Sequence, residues 1–232
     1  MSPEIEKVYG QLLWIERRRQ RILAAVSSHF GRAPLEKILP EEDLRPSPPI
    51  DPPFRTLVDE RGALPTLKTL SEAVLRREAR TVKLLRAHVS VYRHHVDEQI
   101  LFGVRTAGQE AGRDFMGQSH QANLKPERLD IPEAIQAVME LHFQGLPGEK
   151  NQFLSLRAHG GSTVHAMRSA SLDAWRAEDS DPEFLHLIQL EWVRGILDIL
   201  SPGTEYSVSS ALEKGDAFGL AQFHQRGTHA GP

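Results

Sequence analysis

The stretch "GVRTAGQEAGRDFMG", residues 103 to 117, has small residues at a spacing that decides how this part of the chain can pack. They recur every four positions in two series, Gly103, Ala107 and Ala111, and Gly108 and Gly112. Residues four apart lie on one face of a helix, so the stripe lets another backbone approach closely. Because glycine inside a helix costs about 1 kcal/mol relative to alanine, the stripe predicts a tightly packed helix.

Apolar residues recur at helical spacing through much of the rest of the chain. We predict helices over 89–120, which contains the stripe, and over 3–31, 65–86, 131–144, 171–177 and 182–200. Ser2 suits the cap of the first helix, Pro3 its first turn and Gly31 its end. The segment "PLEKILPEEDLRPSPPIDPP" at 34–53 contains many prolines, which exclude regular structure over most of its length. We predict an extended strap across the surface, or a linker to a helical arm.

The spacing of apolar residues changes after residue 151. Alternating runs at 152–159 and 162–167 flank two glycines, and a second such pattern covers 204–225, so each predicts a β-hairpin. We therefore predict an α+β fold, with N-terminal helices followed by a four-stranded antiparallel sheet covered by helices on one face. The predicted organisation is an N-terminal helical arm and strap, one α+β domain and a frayed tail, at 1–54, 55–226 and 227–232.

Composition narrows the classes of function. The 232 residues have a formal net charge of −3 and a sequence pI of about 6.4, which gives no general electrostatic case for nucleic-acid binding. We interpret the basic run "ERRRQR" at 16–21 as a solvated helix face. The chain has no cysteine, which excludes disulfides, thiolate metal ligands and a cysteine nucleophile. No secretory signal or long apolar run is visible, so we expect a cytoplasmic protein without a membrane partner.

The segment "HLIQLEWVRGILDILSPGTEYSVSSALEKGDAFGLAQF", residues 186 to 223, contains a helix, a proline break, a strand and a Gly215-Asp216 turn before a last strand. It resembles the closing segment of the 2-aminothiazoline-4-carboxylate hydrolase-like family and, more distantly, the four-vinyl-reductase-type ligand-binding domains. The resemblance covers the last two-thirds of the chain. It implies a small-molecule pocket between helices and sheet, and hydrolysis of a cyclic C–N bond. Members often have cysteines where this chain has Ser169 and the Phe218-Gly219 pair, so thiolate chemistry is absent.

The stretch "VYRHHVDEQILF", residues 91 to 102, concentrates ionisable groups in a predicted helix. His94 and Glu98 lie one turn apart, and a neighbouring stripe contains His88, Tyr92, His95 and Gln99. Helical bundles present such groups to divalent metals, and a site of His88, His94, His95 and Glu98 would suit iron, manganese or zinc. The alternative, which we favour, is a pocket wall without a metal, in which these groups serve as polar anchors.

Histidines on two elements lead to our first functional hypothesis. It is a small-molecule enzyme that hydrolyses a C–N bond in a small nitrogen-containing ring, with His95, Glu98 and His165 moving protons. The predicted substrate-binding residues are His88, Tyr92, Arg168, His186 and Glu191. The alternatives are a non-catalytic ligand-binding or sensor module and a His/Glu non-haem metalloprotein. We interpret Trp175 and Trp192 as core anchors.

The predicted first helix has a broad apolar patch at Leu12, Leu13, Trp14 and Ile15. Large exposed apolar patches are uncommon on monomers, so the patch must be covered. We predict a homodimer in which residues 3–31 contribute to the interface, including by exchange between chains. The competing arrangement places this helix on its own domain, beside the long third helix.

Overall fold

A computed structural model describes residues 2–45, 56–58, 62–88, 93–121, 129–148, 156–159, 162–209 and 218–225. The helices in this part are α1 (Pro3–Phe30), α2 (Arg32–Ile38), α3 (Glu41–Leu44), α4 (Ala63–His88), α5 (Arg93–Gln121), α6 (Ile131–Leu141), α7 (Leu172–Ala177) and α8 (Pro182–Leu200). The strands are β1 (Leu156–His159), β2 (Ser162–Arg168), β3 (Thr204–Val208) and β4 (Phe218–Gln225). None of these helices combines the length and apolar composition that crossing a bilayer requires.

The predicted α+β class is wrong, because this is a predominantly helical fold. Helices α1, α4 and α5 have 28, 26 and 29 residues, whereas the longest strand, β4, has 8. The main core lies between helices, where Ile22 of α1, Ile100 of α5 and Ile188 of α8 are fully buried. The prediction overestimated the contribution of the strands to the fold, because each hairpin is recognisable in a short stretch of sequence. The main contacts instead join helices that are distant in sequence.

The small-residue stripe brings α5 into close contact with two other helices. A Cβ at Gly103 would lie 2.7 Å from the carbonyl oxygen of Arg21 in α1. A Cβ at Gly108 would collide with the carbonyl oxygen of Trp192 in α8, and one at Gly195 would collide with that of Arg105 in α5. The prediction of a tightly packed helix is therefore confirmed, since the glycines sit where backbones meet.

Helix α1 forms as predicted and packs on its own chain. The Ser2 hydroxyl accepts a hydrogen bond from the Ile5 amide, Pro3 lies in the first turn and Gly31 caps the end. Leu12 and Ile22 are fully buried, in contact with α4 and α5 respectively. The competing arrangement, beside the long third helix, is the one seen here. The boundary proposed at residue 54 stays a prediction, although α1 shares its core with the segment 55–226.

The predicted strap is wrong for its first part, since α2 and α3 are helical. Pro34 falls in the first turn of α2 and Pro40 is the N-cap of α3, two positions that tolerate a missing amide hydrogen. Asp43 is fully buried and accepts hydrogen bonds from Arg77 and Arg80 of α4. These contacts fix the segment against α4. Residues 46–53 of the strap lie outside the described residues.

The strands form an antiparallel sheet in the order β1-β2-β4-β3. Tyr206 of β3 pairs with Phe223 of β4, and both side chains are buried against the helical core. On the other face Leu220 is more than half exposed. The sheet is therefore a peripheral layer that closes one side of the helical core. The predicted Gly215-Asp216 turn and the tail at 227–232 lie outside the described residues.

Candidate functional site

The predicted acid–base pair on α5 lies on the surface. The side chains of His95 and Glu98 are 60% and 70% exposed, and His95 Nδ1 lies 3.4 Å from Glu98 Oε2. His95 also stacks on His29, with ring centroids 6.1 Å apart. A solvated pair of this kind lacks the surrounding groups that tune an acid or base for catalysis. Its catalytic role stays a prediction, and the exposure weighs against it.

The other polar groups of this stretch are explained by packing. Val96 and Ile100 are fully buried, so these two residues face the core while His94 faces solvent. Asp97 accepts hydrogen bonds from Arg86 at 2.8 and 3.3 Å. This pair joins the beginning of α5 to the end of α4.

Three of the five predicted substrate-binding residues have described side chains, and these three lie on two helices, α4 and α8. His88 is exposed at the end of α4 and His186 is buried in α8. Glu191 accepts a hydrogen bond from Arg194 at 2.7 Å, with Arg105 also in contact. Tyr92 lies outside the described residues, as do the side chains of His165 and Arg168. Trp175 and Trp192 are buried in the core, which confirms their predicted role as anchors.

A metal centre gains no support from the described residues. Among them, no group of three or more histidine and carboxylate side chains is arranged to hold a metal ion. His94, His95 and Glu98 are all exposed side chains on α5, and His88 is exposed at the C-terminal end of α4. The metal site of His88, His94, His95 and Glu98 therefore stays a prediction without a structural argument.

A cleft opens between α4, the segment after α6 and the start of α7; we call it the outer cleft. It has a volume of about 260 Å³ and is lined by Lys68, Ser71, Glu72, Leu75, Arg76, Phe143, Gly145, Leu146, Ala170, Asp173 and Ala174. Gly145 has a φ of 124°, a conformation that side-chain-bearing residues rarely adopt. Both signs of charge line the cleft, which suits a small polar molecule.

Beside this cleft lies a smaller, polar space between α1, the end of α6 and α8; we call it the inner cavity. It is lined by Gln11, Trp14, Ile15, Arg18, Leu141, His142, Phe143, Ser171, Gln189 and Trp192. Phe143 also lines the outer cleft, so this residue borders both spaces. As it stands, the inner cavity accommodates about one water molecule.

The inner cavity is built from buried polar side chains held by known partners. Gln11 donates a hydrogen bond to the Glu140 carbonyl at 3.0 Å, and Gln189 donates to the Ser169 hydroxyl at 3.1 Å. Arg18 donates to Glu78 through Nε at 2.7 Å and Nη2 at 2.6 Å, a bidentate ion pair. These partners preorganise the cavity wall.

His142 is the unusual member of this set. It is 5% exposed, and no described residue forms a hydrogen bond with its ring nitrogens. Burial, together with the positive charge of Arg18, lowers the pKa of His142 to about 3. The imidazole is therefore neutral near pH 7, with one nitrogen that donates and one that accepts.

Sequence reasoning missed this site for two identifiable reasons. Glu16, Arg18 and Arg19 are buried, so the interpretation of "ERRRQR" as a solvated face is wrong for these three residues. The carboxylate partners of the two arginines are Glu78 and Glu16, and Glu78 lies 60 residues away, which leaves no local signal. His142 stands alone in the sequence, and its place beside Arg18 follows only from the packing of α1 on α6.

Comparisons of this chain with protein-family models, with curated proteins and with solved structures gave no match.

Proposed function

We propose that this protein binds a small polar molecule in the outer cleft, with part of that molecule reaching the inner cavity. The observation that supports the proposal is the adjacency of the two spaces, which share Phe143. The outer cleft, at about 260 Å³, lies near the lower limit of small-molecule sites, and the inner cavity adds the few convergent polar groups that such sites use for orientation.

The charges of the outer cleft define the type of molecule. Lys68 and Arg76 on α4 provide two cationic groups, and Glu72 on α4 and Asp173 on α7 provide two carboxylates. Groups of both signs in one cleft favour a molecule with several polar atoms over a purely apolar ligand. A small nitrogen-containing ring, the class that the sequence resemblance implies, meets this description.

Hydrolysis of a C–N bond in such a ring is the second candidate function. The sequence resemblance and the convergence of Arg18, His142 and Ser171 favour it. The low pKa of His142 favours the ligand-binding function over the hydrolase. A base with a pKa of about 3 is about four units below neutrality, so it accepts protons poorly near pH 7. The hydrolase proposal therefore needs a proton acceptor besides His142, and the predicted ones are His95, Glu98 and His165.

Calorimetry with a panel of small lactams, cyclic amidines and thiazolines tests the proposal. The panel is titrated into the wild-type protein and into two variants of α7, Ala174→Phe and Ala177→Phe. Ala174 lines the outer cleft, whereas Ala177 is exposed on the same helix, so the second variant is a matched control. We expect binding that Ala174→Phe abolishes and Ala177→Phe retains.

Mass spectrometry of the same mixtures separates the two candidate functions. Ring-opened product that depends on the protein would support the hydrolase, whereas binding without product would support the ligand-binding module. Absence of binding by every member of the panel, or binding that Ala174→Phe leaves intact, would contradict the assignment of the outer cleft.

A further inference from the structure

The inner cavity has a definite electrostatic character. Arg18 is its cationic group, and Glu78 neutralises it through two hydrogen bonds that use Nε and Nη2. Among the described residues no acceptor is bonded to Nη1 of Arg18, a residue that lines the cavity, so this group retains its capacity to donate. The pair as a whole has no net charge.

The hydrogen-bonding capacity of the cavity is incompletely used. His142 is nine-tenths buried, faces this space, and has no hydrogen bond from a described residue to either ring nitrogen. Buried polar groups nearly always have a partner, because an unsatisfied one costs about 1–3 kcal/mol. The ring nitrogens of His142 are not among the fully enclosed unpartnered atoms of the described residues, so either a water molecule or an external molecule that enters the cavity can supply that partner.

We propose that the inner cavity binds the uncharged, planar polar end of the ligand, a carboxamide or a group of the same shape and hydrogen-bonding pattern. The proposal rests on the proposed function, since the remainder of the ligand lies in the outer cleft. The carboxamide oxygen accepts from Arg18, and its NH₂ group donates to the acceptor nitrogen of His142. As it stands the cavity accommodates about one water molecule, so a carboxamide, with its three non-hydrogen atoms, requires displacement of the Phe143 ring.

The charges around the inner cavity disfavour a carboxylate or an amidinium in place of the carboxamide. A carboxylate would enter a space whose one cation, among the described lining residues, is already neutralised by Glu78. An amidinium would lie beside Arg18 without a counter-ion. An uncompensated charge is costly to take out of water, whereas a neutral amide exchanges its hydrogen bonds to water for hydrogen bonds to the protein.

The dependence of ligand affinity on the protonation of His142 distinguishes a carboxamide from a carboxylate. Arg18 of α1 lines the cavity together with His142, and its partner Glu78 belongs to α4. The described polar groups that line the cavity from the N-cap of α7 and from α8 are Ser171, Gln189 and Trp192. A bound carboxylate would draw a proton onto His142, so its affinity would rise as the pH falls. A bound carboxamide needs the neutral imidazole, so its affinity stays constant from about pH 5 to pH 8.

Benzamide, benzoate and benzamidinium form a matched set of probes, because they share one ring and differ in the charge of the end group. Calorimetry of the full chain with each probe at millimolar concentration is expected to show benzamide binding more than about tenfold tighter than either ion. His142→Leu is expected to weaken benzamide binding about fivefold, the effect of one lost hydrogen bond. The same substitution at His29, which is exposed at the end of α1, should leave the affinity unchanged.

Nitrogen NMR of the histidine rings in the wild-type protein provides a readout that does not depend on a variant folding. Benzamide should change the ¹⁵N chemical shifts of the His142 ring, and these shifts should remain those of a neutral imidazole. Tighter binding of benzoate, an affinity that rises at low pH, or unchanged benzamide binding by His142→Leu would each overturn the inference. If benzamide does not bind while the cyclic panel binds in an Ala174-dependent manner, the inference fails and the proposed function stands.

Discussion

A histidine that is buried beside a guanidinium group resists protonation, and this makes His142 the residue with the clearest chemical signature in the described part of the chain. Its lowered pKa has two causes, burial and the charge of Arg18. Neither cause can be predicted from the sequence around residue 142, because Arg18 lies on the first helix. By contrast, the caps of α1 and α6 follow from adjacent residues, and Asp130 forms a capping box with Glu133.

The first prediction concerns the dependence of stability on pH. In the unfolded chain His142 has a pKa near 6.5, and in the folded protein the pKa is about 3. The unfolded state therefore binds the extra proton as the pH falls below about 6.5, so folding stability decreases. At about pH 5 this term amounts to about 2 kcal/mol.

Urea denaturation of the wild-type protein and of His142→Gln checks this prediction at about pH 7.5 and about pH 5. The wild-type protein should lose about 2 kcal/mol more than the variant between the two conditions. Equal losses by the two proteins would show that His142 is accessible to protons in the folded state.

At the scale of elements, the contact of α5 with α8 depends on glycine. Gly108→Ala should destabilise the protein by about 2 kcal/mol, because the added methyl group collides with the Trp192 carbonyl. Gly117→Ala is the matched control on the same helix, since a Cβ there meets nothing within 4 Å. It should be neutral or stabilise by up to about 1 kcal/mol. Thermal denaturation of both variants decides the matter, and similar melting temperatures would contradict the close approach of the backbones.

The α2–α3 segment provides the second prediction at this scale. Asp43→Asn removes the charge that pairs with Arg77 and Arg80, so the segment should detach and stability should fall by about 3 kcal/mol. Hydrogen exchange over residues 32–44 should increase in this variant. Glu42→Gln changes an exposed neighbour and should leave exchange as in the wild type. Unchanged exchange in Asp43→Asn would show that apolar contacts of Leu35 and Leu39 suffice.

Element positions were largely predictable, whereas their assembly was only partly so. The helix predicted at 182–200 forms as Pro182–Leu200, because its periodicity and its Asp181 cap are local. The α+β class was wrong because the relative weight of helix and sheet depends on which surfaces meet. The glycine stripe was the exception, since small residues at helical spacing report a close contact before the partner is known.

At the scale of the whole molecule, α1 belongs to the core. Removing residues 1–54 would expose the surfaces that Leu12 and Ile22 cover, so we expect the truncated chain to lose its cooperative thermal transition and near-UV circular dichroism. A truncated chain that melts cooperatively would instead support a separate domain at 55–226.

The predicted homodimer stays a prediction. The apolar patch that motivated it is largely buried within the chain, where Leu12 and Ile15 are 0% and 4% exposed. A dimer therefore uses another surface, or exchanges α1 between chains with the same contacts preserved. Light scattering of the full-length protein at micromolar concentration tests this, and a monomer would refute the dimer.

The central claim is that the outer cleft and the inner cavity together bind one small polar molecule. A crystal structure of the protein soaked with benzamide tests this most directly. We predict that the ring lies in the outer cleft with Phe143 displaced, and that the carboxamide lies within about 3 Å of a ring nitrogen of His142. Electron density for benzamide elsewhere, with His142 bonded to a single water molecule behind an unmoved Phe143, would contradict the account.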